Sequence, residues 1–157
     1  MQEVRWVELP KIGGIQNGFL TFTNAEEKPP SSPYGLGRPN PWSSLPLEVE
    51  RVFWLHGLQP GMVRGRHANR TSHQAFFCLT GAATIRTNFG DGMADQTWRL
   101  TEPHKGLYVS PLVWRTIEEL FPETVLLVLA SEPYREDDYI REYGEFLQEV
   151  SKWKHPG

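Results

Sequence analysis

Two imidazoles, an amide and several guanidiniums crowd into the run Arg64-Gly65-Arg66-His67-Ala68-Asn69-Arg70-Thr71-Ser72-His73. Side chains alternate along an extended strand, so His67 and Asn69 share a face. The polar group Arg70-Thr71-Ser72 turns the chain, and a tight return is expected to set His73 beside His67 and Asn69. An imidazole titrates near neutrality and can both take and return a proton, so the cluster points to general acid–base chemistry. A single histidine is more often structural than catalytic; it is the grouping that favours function. The same residues, with Arg115 downstream, form a poor metal site. Asparagine is a weak ligand for transition metals and arginine is none at ordinary pH. No metal and no other cofactor is therefore expected.

The chain that must position these residues has 157 residues, a length typical of one domain. Its net charge is -3, which argues against a nucleic-acid partner. Cys78 is the only cysteine and sits in the apolar run Phe77-Cys78-Leu79, where a buried structural thiol is the expected reading. No stretch approaches the ~20 apolar residues that would cross a bilayer. The first residues lack the basic start and apolar core of a secretory leader, so a cytoplasmic location without membrane partners is expected.

Fourteen glycines and thirteen prolines punctuate short apolar runs, the pattern of an all-β domain. Strands are expected at 4–9, 18–23, 49–55, 63–69, 73–79, 82–89, 97–100, 106–109, 113–118 and 124–131. A proline-rich stretch, 28–46, cannot hold a ladder and reads as a long loop, either a functional flap or a passive insertion. At the end, Tyr139, Ile140, Tyr143, Phe146, Leu147 and Val150 recur at helical spacing. The acidic triplet Glu136-Asp137-Asp138 suits a helix start, so an amphipathic helix over 138–151 is expected. Many short strands with frequent turns suggest a closed barrel or jelly roll.

The segment from Glu48 to Val150 resembles the sugar-nucleotide 3,4-ketoisomerases of the cupin superfamily. The matching pieces are Arg51-Val52-Phe53-Trp54, Arg64-Gly65-x-His67-Ala68, Gly106-Leu107-Tyr108-Val109-x-Pro111, Trp114, Val128-Leu129-Ala130-Ser131 and Asp138-Tyr139-Ile140-Arg141-x-Tyr143. The resemblance implies an all-β fold, a cupin double-stranded β-helix (jelly-roll barrel) with one C-terminal α-helix, spanning 1–157 as a single domain. It implies a metal-free homodimer, and the apolar first strands with Trp6, Phe19 and Phe22 offer surface for pairing. It also implies a nucleotide-sugar substrate, dTDP-linked, whose keto group moves from C4 to C3 on the way to deoxysugars and surface polysaccharide. His67 fills the first position of the family's His-x-His pair and is the expected base. Asn69 stands where the family has the second histidine, Arg115 where it usually has histidine, and His73 where it usually has glutamate. His73 is thus the expected second proton carrier. Arg51, Arg64, Arg66, Asn69, Tyr108, Trp114 and Arg115 are the expected substrate contacts. Arg64 or Arg115 would steady an enolate or a diphosphate oxygen. Trp54, Tyr108 and Trp114 would stack on sugar or base, or else fill the barrel core. Loss of the second histidine leaves open a chain that binds a nucleotide sugar without isomerising it.

Overall fold

A computed structural model describes residues 1–16, 18–21 and 45–154. Most of the 28–46 loop, and Phe22, therefore lie outside the described residues. The strands are β1 (Val4–Glu8), β2 (Lys11–Gly14), β3 (Gly18–Thr21), β4 (Arg51–Leu55), β5 (Arg64–Asn69), β6 (Gln74–Thr80), β7 (Ala83–Asn88), β8 (Gln96–Leu100), β9 (Lys105–Val109), β10 (Trp114–Glu118), β11 (Val125–Ala130) and β12 (Tyr139–Ile140). They build two five-stranded antiparallel sheets, β1-β9-β6-β11-β4 and β12-β5-β10-β7-β8, and the hairpin β2-β3. This is the expected jelly roll.

Alternation decides what each strand buries. Along β6, Phe76 and Cys78 point between the sheets, where they join Ile85, Leu100, Leu107, Ile117, Leu126 and Val128 in one core. Their neighbours Ala75 and Phe77 point the other way and pack with Val7, Tyr108 and Leu129 on the outer face of the first sheet. Cys78 is buried, its Sγ set 3.2 Å from the Thr80 carbonyl, and burial pushes its thiol up.

The C-terminal helix α1 runs Tyr143–Lys154, later than the 138–151 expected. Glu136–Asp138 form a single 3-10 turn, and Tyr139–Ile140 extend as β12 against Asn69 and Ala68. The reason is packing: Ile140 is fully buried with Ala68 beneath Phe146 and Val150 of the helix. Burial on the sheet outweighs the helical spacing that Tyr139 and Ile140 happen to share with the helix proper.

Between β5 and β6 the chain crosses from the second sheet to the first. The expected tight return within one sheet does not occur, with consequences for His73.

Candidate active site

One end of the space between the sheets is polar. It begins at a bulge in β5. Arg115 lies opposite His67 and Thr116 opposite Gly65, so Arg66 is the extra residue. Bulges re-aim side chains, and this one needs backbone angles that favour glycine. Gly65 has φ +78, and a Cβ there would stand 2.8 Å from the Arg115 carbonyl oxygen. The bulge leaves the Gly65 carbonyl 3.0 Å from His67 Nδ1. A carbonyl only accepts, so Nδ1 carries the proton and Nε2 presents its lone pair.

That lone pair faces Arg115, whose Nη2 lies 3.0 Å from His67 Nε2. The same nitrogen donates to Gln74 Oε1 at 2.6 Å and to Asn69 Oδ1. Three acceptors share the two hydrogens of one guanidinium nitrogen, and His67 is the most distant of them. Arg115 is only 2% exposed, and burial among these neutral groups lowers it to about 10, so it stays charged at neutral pH. Burial, then the Arg115 charge, pushes His67 down to about 3.

Asn69 is 1% exposed and engaged at both ends. Its oxygen accepts from Arg115, and its Nδ2 donates to Asp138 Oδ2 at 2.7 Å. Asp138 also accepts from the Thr71 backbone N–H at 2.7 Å and from the Thr71 hydroxyl at 3.0 Å. Burial opposes its charge, but these bonds prevail and hold its carboxyl below the usual range. Asp138 is therefore a buried hub; it does not start the helix.

Tyr139 pairs with Asn69 across β12 and β5, so it faces the same polar end. Its ring lies 4.9 Å from that of His67. Arg51 Nη2 lies 3.4 Å from the Tyr139 hydroxyl oxygen, and the buried Arg51 Nε has no partner among the described residues. The Arg51 guanidinium sits over Phe53 at 5.0 Å and Tyr134 at 5.7 Å, and Arg141 covers the Tyr139 ring at 4.8 Å.

Of the expected site residues, His67, Asn69, Arg115 and Arg51 come together here. His73 does not. It precedes β6 in phase with Ala75 and Phe77, and its Nδ1 meets the Tyr108 hydroxyl at 2.5 Å on the outer face of the first sheet. Tyr108 is on that outer face too. Trp114 alternates with the inward Arg115, so it points out beneath α1, against Tyr143 and Phe146. Arg66, the bulge residue, is exposed; the hydrogen bond from Arg86 is the main cause that holds the outer Glu118 carboxyl down, and the Arg66 charge adds a smaller part. Arg64 is exposed at the start of β5, opposite Ile117. Trp54 is 59% exposed and points away from the barrel, neither core nor site lining. Among the described residues no group of three or more histidine, cysteine or carboxylate side chains is placed to hold a metal.

Three site residues were not anticipated: Gln74, Asp138 and Tyr139. Gln74 carried a readable signal, a polar residue in phase with Phe76 and Cys78 on a buried strand. Asp138 and Tyr139 carried a signal in the matching piece Asp138-Tyr139-Ile140-Arg141-x-Tyr143, but the helical spacing of Tyr139 and Ile140 with Tyr143 and Phe146 assigned them to the helix.

Residues 36–151 match the family model described as FdtA, WxcM-like, C-terminal. The chain belongs to this family. It is 35% identical over 109 residues to a TDP-4-oxo-6-deoxy-α-D-glucose-3,4-oxoisomerase of Aneurinibacillus thermoaerophilus, covering 69% of this chain and 77% of that one. The sugar 3,4-ketoisomerase QdtA of Thermoanaerobacterium thermosaccharolyticum, solved with TDP, superposes with a TM-score of 0.79 at 30% identity over 96% of both chains. A histidine-to-asparagine variant of QdtA, holding TDP-4-keto-6-deoxyglucose, superposes equally well, with a TM-score of 0.79 at 30% identity over 95% of this chain and 94% of that one. The family's fold is the cupin barrel, and its enzymes are intramolecular oxidoreductases.

Proposed function

We propose that this chain isomerises a dTDP-linked 4-keto-6-deoxy sugar, moving the carbonyl from C4 to C3 with His67 Nε2 as the base. The observation that carries the reading is the orientation of His67. The bulge fixes its proton on Nδ1 and leaves Nε2 unprotonated beside a buried guanidinium. A proton next to a ketone leaves only if the enolate charge is stabilised, and a fixed cation in a dry interior does this well. Arg115 supplies that field. Arg51, whose Nε has no partner among the described residues, is suited to the diphosphate of the substrate. Burial is the larger cause of the His67 depression; an anionic ligand beside these cations offsets the smaller share that comes from the Arg115 charge.

Asn69 fits this reading in an unexpected way. Its amide gives an acceptor to Arg115 and a donor to Asp138, the same polarity that the two nitrogens of a neutral imidazole would present. It serves as a positioning residue. A histidine-to-asparagine change in QdtA still leaves TDP-4-keto-6-deoxyglucose bound, which supports retention of the ligand here.

The working unit of this reading is a homodimer in the cytoplasm, within deoxysugar and surface-polysaccharide synthesis. No described helix is long and apolar enough to cross a membrane.

The second reading, binding without turnover, draws on the strongly depressed basicity of His67. The two separate on His67→Ala. The isomerase reading expects solvent exchange at C3 to fall by ~10²–10⁴-fold with dTDP affinity nearly unchanged. The binding reading expects no exchange in either protein and a change in affinity alone.

A further inference from the structure

Moving a carbonyl by one carbon transfers protons on oxygen as well as on carbon. The C4 oxygen must gain a proton and the C3 oxygen must lose one. His67 offers a single unprotonated nitrogen, Nε2 beside Arg115, because Nδ1 is committed to the Gly65 carbonyl. Asn69 and Gln74 are held by Arg115, and His73 is on the outer face of the first sheet. Tyr134 is also nearby, but its hydroxyl already binds Glu136. Of the described groups at this end with an uncommitted proton, the Tyr139 hydroxyl is the one acidic enough to give it up: its oxygen accepts from Arg51, which leaves its own O–H free to donate, whereas the partnerless Ser72 hydroxyl and Arg51 Nε–H are far weaker acids.

We propose that Tyr139 is the second proton carrier of the reaction, serving the two substrate oxygens while His67 serves the two carbons. This rests on the isomerase reading above. His67 Nε2 takes the proton from C3. The electrons of that C–H bond form the C3–C4 double bond, and the carbonyl oxygen at C4 takes the Tyr139 hydroxyl proton. The phenolate then accepts the proton of the C3 hydroxyl. The C3 carbonyl forms, and the double-bond electrons take the proton back from His67 at C4. Both side chains return to their starting states, and nothing is oxidised or reduced overall. The 4.9 Å separation of the two rings lets one sugar face meet both. Arg51 beside the hydroxyl and Arg141 over the ring stabilise the transient phenolate.

The test uses the full-length protein with dTDP-4-oxo-6-deoxyglucose. Tyr139→Phe removes one oxygen and is expected to lower kcat by ~10²-fold or more, leaving dTDP affinity within about threefold. A structural role could also lower kcat, so a second probe is needed. Replacing Tyr139 with 3,5-difluorotyrosine makes the phenol more acidic. The basic limb of the kcat–pH profile should then move to lower pH. The charged and titratable groups facing that phenol are His67 from β5, Arg51 from β4, Arg115 from β10, and Tyr134, Glu136, Asp138 and Arg141 from the chain around β12. None of them is changed by the fluorines. An unchanged kcat in Tyr139→Phe, a loss confined to KM, or an unmoved basic limb overturns the assignment of Tyr139 alone. Absence of isomerisation in the wild type overturns the isomerase reading and this inference with it.

Discussion

His67 couples the site to folding. An exposed histidine titrates near 6.5, but burial and the Arg115 charge lower His67 to about 3. Between those values the unfolded chain binds one more proton than the folded one. Stability from His67 is therefore complete above pH 6.5 and is lost as pH falls towards 3. At 1.36 kcal/mol per unit, the wild type should lose about 2 kcal/mol between pH 6.5 and 5 through this residue. His67→Gln should flatten that limb in urea melts run across the interval; an equally steep limb in the variant would mean that His67 titrates normally in the folded protein. Asp138 acts in the same direction at lower pH, since its bonds to Thr71 and Asn69 hold the carboxyl ionised.

At the scale of elements, the β5 bulge and the two-residue β12 build the site, and they differ in how openly the sequence announces them. Gly65 within Arg64-Gly65-Arg66-His67 marks a place where a side chain is unwelcome. Gly65→Ala should cost roughly 1–3 kcal/mol, because its Cβ meets the Arg115 carbonyl at 2.8 Å and its φ is +78. The Gly65 carbonyl would also shift, so His67 should lose the fixed tautomer visible in its ring nitrogen shifts by NMR; wild-type stability and shifts in the variant would contradict this. Most strands were legible from apolar runs bounded by glycine and proline, within a residue or two of their ends. His73 lies away from His67, against expectation, for a long-range reason. Sequence spacing cannot say that β5 and β6 belong to different sheets, and that crossing sends His73 to the outer face. Trp114 and Arg66 lie outside the polar end for a local reason: once Arg115 and His67 point in, their neighbours point out. Tyr139 was masked because two residues are too few to show a strand period against a helix that follows at once.

For the whole molecule, the outer face of the first sheet is buried around Ala75, Phe77, Tyr108 and Leu129 and exposed at its β4 edge. Val52 and Trp54 of the edge strand β4 are 53% and 59% exposed. By register they lie beside Leu129 and Leu127. Exposed apolar side chains at a sheet edge, continuous with a buried apolar cluster, suit an association surface. The expected dimer would be supported by this face and by Phe19, which is exposed on the β2-β3 hairpin, while Trp6 already packs edge-on against Trp98 at 5.6 Å. Trp54→Glu should convert a dimer at micromolar concentration into a monomer by sedimentation, with an unchanged circular dichroism spectrum. A wild-type monomer, or an unaffected dimer in the variant, would place the interface elsewhere or remove it. The fold does not depend on that outcome, because the core between the sheets is complete within one chain.

The central claim is that His67 moves a proton between adjacent carbons of a nucleotide-linked keto sugar. It is tested most directly by incubating the wild-type protein with dTDP-4-oxo-6-deoxyglucose in deuterated water and following C3 and C4 by NMR. The account expects the C3 proton signal to disappear as a 3-keto product with hydrogen or deuterium at C4 accumulates, both events depending on His67. Tight binding of the sugar nucleotide with the C3 proton retained and no 3-keto product would contradict it.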